Sequence, residues 1–171
     1  MSKTPYRIKR AEHPVELQGA VAAEQTAWRE SFAGLVPEDL LQERTSEDFV
    51  EMRLHEWALA SQEGTWFWVL MDSRDARVVG VAHAVPRREL DGPELLELAG
   101  IHLTEEVKGS GAADRLLEMA IGDMACYAWV PQGADRAVRF LERNGFVADG
   151  AVRPSPEYGV EEQRLVRREA E

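Results

Sequence analysis

The chain has 171 residues, 44% of them hydrophobic and 30% charged, which is the size and make-up of one globular domain able to bury most of its apolar surface. Its formal net charge of −11 argues against a nucleic-acid partner, because phosphate backbones are met by basic faces. The same acidity fits a cationic small substrate, and it fits plain solubility equally well.

The opening MSKTPYRIKR carries charges with no apolar run behind them, so no signal peptide is expected. A short extended piece lies around Tyr6, and Pro14 stands where a helix can begin. Leu17, Val21, Glu24 and Trp28 then fall on one helical face, and Gly34 stops it. Pro37 opens a turn, PEDLL. Ser46 precedes a second helix with Phe49, Met52, Leu54, Trp57 and Ala58 as candidate core residues.

The middle of the chain changes character. Residues 66–71 and 77–85 are rich in aromatic and β-branched types, and DSRDAR between them reads as a hairpin turn. WFWVLM is the longest apolar run and is far too short to span a membrane. Residues 95–103 read as a third strand. Ala112, Ala113, Leu116, Leu117, Ala120 and Ile121 recur at helical spacing up to Gly122, and residues 124–130 read as a buried strand. That strand holds Cys126, the one cysteine, which excludes an internal disulfide and a multi-cysteine metal site and reads as a core thiol. Residues 134–144 form a helix capped by Gly145, and short strands follow at 146–147 and 163–167. The order of elements predicts an α/β domain with a mixed sheet. No repeat or linker divides it, so residues 1–171 form a single domain.

The stretch EEVKGSGAADRLL places two glycines directly ahead of a helix. A helix N-terminus offers unpaired N–H groups and a partial positive charge, and glycines let backbone approach a phosphate that a Cβ would hold off. The alternative is a strand-to-helix turn that needs positive φ and binds nothing. Neither the Walker pattern nor the dinucleotide fingerprint fits, since Lys-Ser or Lys-Thr does not follow Gly111 and Asp114 stands where the third glycine would be.

The run Lys108, Gly109, Ser110, Gly111, Ala112, Ala113 resembles the acetyl-CoA pyrophosphate loop of the GNAT superfamily of N-acetyltransferases, with Lys in place of the usual Arg or Gln. ELAGIHL ahead of it is similar to the family's fourth strand, and AWVPQGADRAVRFLERNGF behind it to the closing motif. AWRESFAGLVPEDLL resembles the Ser-Trp-Arg-x-Ala-Tyr-x-Gly-Leu-Leu-Pro segment of one bacterial branch, so the likeness covers nearly the whole chain.

The resemblance implies a GNAT fold, in which a mixed, mostly antiparallel sheet is splayed in the middle and flanked by helices. It also implies transfer of an acetyl group from the cosubstrate acetyl-CoA to a primary amine of a small molecule by direct attack. Cofactor contacts would come from Ile101, His102 and Leu103 through their backbone, and from Lys108, Gly109, Ser110, Gly111, Ala112, Ala113 and Asp114. Trp28 and Phe32 would line the acceptor pocket.

An alkyl ammonium titrates near ~10, so a base must take a proton before nitrogen attacks. Glu97 stands where many relatives place that base, with Glu89 and Glu94 as alternatives. His102 reads as a partly exposed strand residue. Leu141 replaces the family's general-acid tyrosine, leaving Tyr127, Tyr158 or water for that task. Ala134 replaces the asparagine that bonds the cofactor arm. These two departures motivate a rival, a non-catalytic acyl-CoA-binding or regulatory protein on the same fold.

The histidines show no metal spacing, and neither nucleic acid nor membrane is expected as a partner. The expected location is cytoplasmic, and a homodimer is compatible with the sequence.

Overall fold

A computed structural model describes residues 5–155 and 157–169. Strand β1 (Tyr6–Arg10) leads into helix α1 (Pro14–Phe32), followed by α2 (Glu38–Arg44) and α3 (Glu47–Gln62). Strands β2 (Phe67–Asp72), β3 (Val78–Pro86) and β4 (Leu96–Leu103) come next, then a 3-10 turn (Glu105–Val107) and helix α4 (Ala112–Ile121). Strand β5 (Cys126–Pro131), helix α5 (Asp135–Arg143), β6 (Val147–Pro154) and β7 (Glu161–Arg167) complete the domain.

Helix α1 begins at Pro14, and the carboxylate of Glu16 accepts the amides of Glu12 at 3.1 Å and His13 at 3.0 Å. These are two backbone donors that the helix itself cannot satisfy. The expected stripe of Leu17, Val21, Glu24 and Trp28 is buried. Ser46 caps α3 by accepting the amide of Phe49 at 3.2 Å.

The turn between β2 and β3 is organised by Asp72, whose carboxylate takes the Arg74 amide at 2.9 Å and the Arg74 guanidinium at 2.6 to 3.2 Å.

All seven strands lie in one sheet, ordered β1-β2-β3-β4-β5-β7-β6. Every neighbouring pair is antiparallel except β4 and β5, which are parallel and register at the single pair Glu97–Tyr127. Beyond that pair the two strands part. On the other side of β4, His83 pairs with Gly100 and Ala84 with Leu98, so Ala99 bulges out of the ladder at the place where the gap opens.

Helices α1 and α3 cover one face of β2 and β3 through Val21, Trp57, Phe67, Val69 and Val81. Helix α4 packs Ala112 and Leu116 on the opposite face of that half. Its Leu117 and Ile121 join Leu98, Cys126, Ala128 and Leu165 in the other half, so α4 bridges the parted strands.

Four expectations change. PEDLL belongs to a helix, α2, because Arg44 is anchored between the rings of Trp28 and Phe49, each at 4.3 Å, a tertiary contact that local sequence does not reveal. Met52 is 47% exposed, because the packed face of α3 runs through Val50, Leu54, Trp57 and Ala58. Strand β5 starts at Cys126 and leaves Met124 exposed. Phe146 is a core residue ahead of a longer β6, whose bulge between Ala148 and Val152 carries it past Gly150, while Arg153 pairs with Glu162 at 2.6 Å across to β7.

The Arg74 side chain and amide hold the Asp72 carboxyl down at about 2, below its ordinary 3.8. A group depressed in the folded state contributes stability above its unfolded value and loses it as pH falls through the folded one. The urea midpoint of the protein should therefore drop between about pH 4 and about pH 2, and Asp72→Asn should flatten that part of the profile.

Candidate active site

The gap between β4 and β5 opens into a cavity of about 1400 Å³. Its walls are the backbone of residues 98–103 on β4, residues 128–131 on β5, the end of α1, the start of α4 and one face of α5.

One end presents backbone donors. Gly109 and Gly111 both sit at positive φ, 80° and 78°, and Gly111 is the N-cap of α4. A Cβ on either glycine would meet nothing within 4 Å, so backbone conformation and not crowding selects glycine there. Ser110 turns inward, donating its hydroxyl to the Val107 carbonyl at 2.5 Å and accepting the Ala112 amide at 3.2 Å. The amides of Gly109, Gly111 and Ala113 make no hydrogen bond to another described residue. These donors, together with the positive end of the helix dipole, have the chemistry to meet an anion.

Cations border it. Lys108 is paired with Glu105 at 2.5 Å, Arg136 with the same carboxylate at 3.5 Å, and Arg143 with Asp114 at 3.1 Å. Arg139 has no ion-pair partner among the described residues.

The other end is aromatic and nearly neutral. Tyr158, from the turn between β6 and β7, stacks on Trp28 with ring centroids 4.8 Å apart and planes 4° apart. Phe32 meets both rings edge-on. Tyr158 and Phe32 line the cavity, while Trp28 is buried behind them at 1% exposure. Burial, with Glu157 and Glu162 nearby, raises the Tyr158 phenol well above its ordinary range, so it keeps its proton. Its hydroxyl has no hydrogen-bond partner among the described residues.

Of the cofactor residues expected from sequence, Ile101, His102, Leu103, Lys108, Gly109, Gly111, Ala113 and Asp114 line this cavity, and Ser110 and Ala112 do not. Ala112 is fully buried, and its amide is the one Ser110 occupies. Ala134 and Leu141 both face the cavity without a polar side-chain atom to offer.

Glu97 is not brought into the cavity. Its buried carboxylate receives Arg88 at 3.0 and 2.5 Å and the Tyr127 hydroxyl at 3.3 Å. Glu89 holds the Trp129 indole N–H together with Arg153 and Arg164, and Glu94 pairs with Arg168 at 3.4 Å, so none of the three acids lines the gap. Tyr127, fully buried and bonded to Glu97, is equally removed from it.

Sequence reasoning missed Arg136, Arg139 and Arg143, whose spacing on α5 places them on one face and could have revealed them. Tyr158, one of the two tyrosines weighed from sequence for the general-acid task, arrives from a turn more than a hundred residues after the helix it stacks on, and that stacking has no local signal.

The mixed sheet is thus parted at one parallel pair, with a glycine-bearing helix start at one end of the gap. The chain belongs to the acetyltransferase (GNAT) family, which it matches over residues 24–146 and whose cosubstrate is acetyl-CoA.

Its fold is similar to that of the PaiA N-acetyltransferase of Thermoplasma acidophilum, solved in complex with coenzyme A, with a TM-score of 0.69, 16% identity, and 95% of this chain and 98% of that one covered. It is also similar to a protein of Corynebacterium glutamicum described as histone acetyltransferase HPA2 and related acetyltransferase, with a TM-score of 0.70, 20% identity and 98% of each chain covered. The ribosomal-protein-S5-alanine acetyltransferase of Vibrio fischeri gives a TM-score of 0.67 and 14% identity, covering 100% of this chain and 97% of that one. At such identities the likeness concerns the fold alone. No curated protein matches the sequence.

Gly111→Val puts a β-branched residue at φ 78° and a side chain over the free amides. The protein should remain folded by circular dichroism, and calorimetry should show its acetyl-CoA affinity lowered by at least about tenfold, the effect of losing one charge-assisted hydrogen bond. Unchanged affinity would remove this loop from the anion site.

Proposed function

We propose that this protein is an N-acetyltransferase that moves the acetyl group of acetyl-CoA to a primary amine of a small molecule by direct attack. The observation that carries the reading is the polarity of the gap. Free amides and four cations, Lys108, Arg136, Arg139 and Arg143, stand at one end, and a polar-tipped aromatic pocket stands at the other. The first end suits the pyrophosphate and the second an organic amine. The parted strands leave unpaired backbone on β4 for the amide arm of the cosubstrate, which the chain can meet strand to strand even with Ala134 in place of an amide side chain.

The thiol inventory supports direct attack over a cysteine acyl-enzyme. Cys126 is the only cysteine, is fully buried, does not line the cavity, and has its thiol pushed up to about 11 by burial. A protonated, inaccessible thiol is no acyl carrier.

Tyr158 is the one tyrosine that lines the gap among the described residues. It holds its proton, and it can supply a hydrogen bond to the departing CoA sulfur that Leu141 cannot. A small amine suits the aromatic end, enclosed by Phe32 and Tyr158, and a net charge of −11 draws an ammonium toward the protein.

The deciding experiment is a thiol-release assay with acetyl-CoA against polyamines, aminoglycosides, amino acids and peptides. Turnover above background hydrolysis with a small amine supports the reading. Measurable acetyl-CoA binding without turnover on any acceptor would instead identify a non-catalytic acyl-CoA-binding protein. With an active acceptor in hand, Tyr158→Phe should lower kcat about tenfold or more, while Leu141→Tyr should leave kcat equal or higher. A large loss in Leu141→Tyr would show that the α5 position does not face the leaving sulfur.

A further inference from the structure

We infer that His102, through its Nε2, is the base that takes the proton from the acceptor amine, an inference that rests on the acetyltransferase reading above.

His102 stands on β4 opposite Val81, and the period of two along the strand sends its side chain to the face covered by α1. A Cβ built on Gly100 would come within 3.0 Å of His102 Nε2, so the absence of a side chain at residue 100 lets the imidazole lean back along the strand over that α-carbon. Residue 100 adjoins Ala99, the bulged residue at which β4 leaves the ladder, and both line the cavity. Nε2 is therefore aimed at the part of β4 where the two strands have parted and where an acyl group lying along the strand would be attacked.

His102 lines the cavity, and neither ring nitrogen has a hydrogen-bond partner among the described residues. A histidine kept only for structure usually has at least one ring nitrogen engaged, since an unpaired polar atom in a low-dielectric site costs stability.

The charges facing this ring come from every element packed around it. Glu24 lies on α1, Arg44 on α2, Arg53 on α3 and Glu157 beside Tyr158. Arg53 joins Glu24 at 3.0 Å and Glu157 at 3.1 Å, and Arg44 joins Glu157 at 2.6 Å, so the surroundings sum to no net charge. Burial dominates and lowers the imidazole below its ordinary 6.5, leaving it neutral with a free lone pair at physiological pH. His83, its diagonal neighbour on β3, is unsuited to the role. It does not line the cavity, its Nδ1 is buried without a partner, and burial drives it down to about 3.

The step balances as follows. The ammonium first gives one proton to solvent. The amine lone pair forms the C–N bond at the thioester carbon, and His102 Nε2 takes the second N–H proton. The C–S bond then breaks, its electron pair leaving on sulfur, which accepts a hydrogen bond from the Tyr158 hydroxyl and takes its proton from water. The imidazolium so formed is stabilised by Glu24 and Glu157 and returns its proton to solvent.

The test uses the full chain and the most active amine from the acceptor panel. His102→Gln is expected to lower kcat by about 10²–10⁴ with unchanged acetyl-CoA affinity by calorimetry. The wild-type kcat/KM profile should rise through an acidic limb with its midpoint below 6.5, and that limb should be missing in His102→Gln. Free imidazole should restore part of the turnover of His102→Ala, and Glu97→Gln should cost less than His102→Gln. Equal turnover in wild type and His102→Gln, or a loss that imidazole does not rescue and that leaves the acidic limb in place, overturns the role of His102 while the acetyltransferase reading stands. Wild-type protein that binds acetyl-CoA and turns over no amine overturns both.

Discussion

The molecule depends on one pairing that stops. Strands β4 and β5 meet at Glu97 and Tyr127 and nowhere else, and the bulge at Ala99 turns β4 away where the gap begins. A continuous ladder there would satisfy every backbone group and leave no site. The gap survives because helices and a shared core, in which Leu98 of β4 packs with Ala128 of β5 and Leu165 of β7, hold the two halves together where the ladder does not. Helices α1 and α3 close one half, α5 closes the other, and α4 spans them with Leu116 on one side and Leu117 on the other. The Arg88–Glu97–Tyr127 cluster then acts as a rivet at the point where the strands part, which gives the Glu97 carboxylate a structural task in place of a place in the cavity.

Charge is distributed in two ways. At the anion end the cations stand in solvent-facing pairs, Lys108 and Arg136 sharing Glu105, where exposure makes each pair worth little and leaves the side chains free to re-partner. At the aromatic end Arg53, Arg44 and Glu24 are largely buried, the two arginines pair with the more exposed Glu157, and Arg44 also lies over the rings of Trp28 and Phe49. Breaking such a buried network would strand a charge, so it holds its geometry and fixes the floor beneath Tyr158. A chain with net charge −11 can thus present positive potential at one end of the gap, because helix amides supply it without changing the composition.

Much of the fold was legible because its local signals agree with its packing. The stripe of α1, the hairpin of β2 and β3, the GSG turn and the period of α4 each come from neighbouring residues whose pattern survives in the tertiary structure. Helix α2 was not legible, since it depends on Arg44 finding two rings elsewhere, and β6 was not, since Gly150 lies in a bulge that ion pairs to β7 hold in register. Among site residues, the glycine loop lines the cavity largely as its sequence suggested. Glu97 shares its strand with the cavity wall, but its side chain is committed to Arg88.

By itself the sequence pointed to the family and to a glycine turn ahead of a helix. Positive φ at Gly109 and Gly111 and an amphipathic helix behind them are properties of a few consecutive residues, and they carry their meaning wherever the chain places them. Only the tertiary structure decided the aromatic end of the gap. Tyr158 meets Trp28, and His102 leans over Gly100 amid charges from three helices and a distant turn. The protonation of both groups is set by burial and by a field summed over segments far apart in sequence, and no local pattern encodes such a sum.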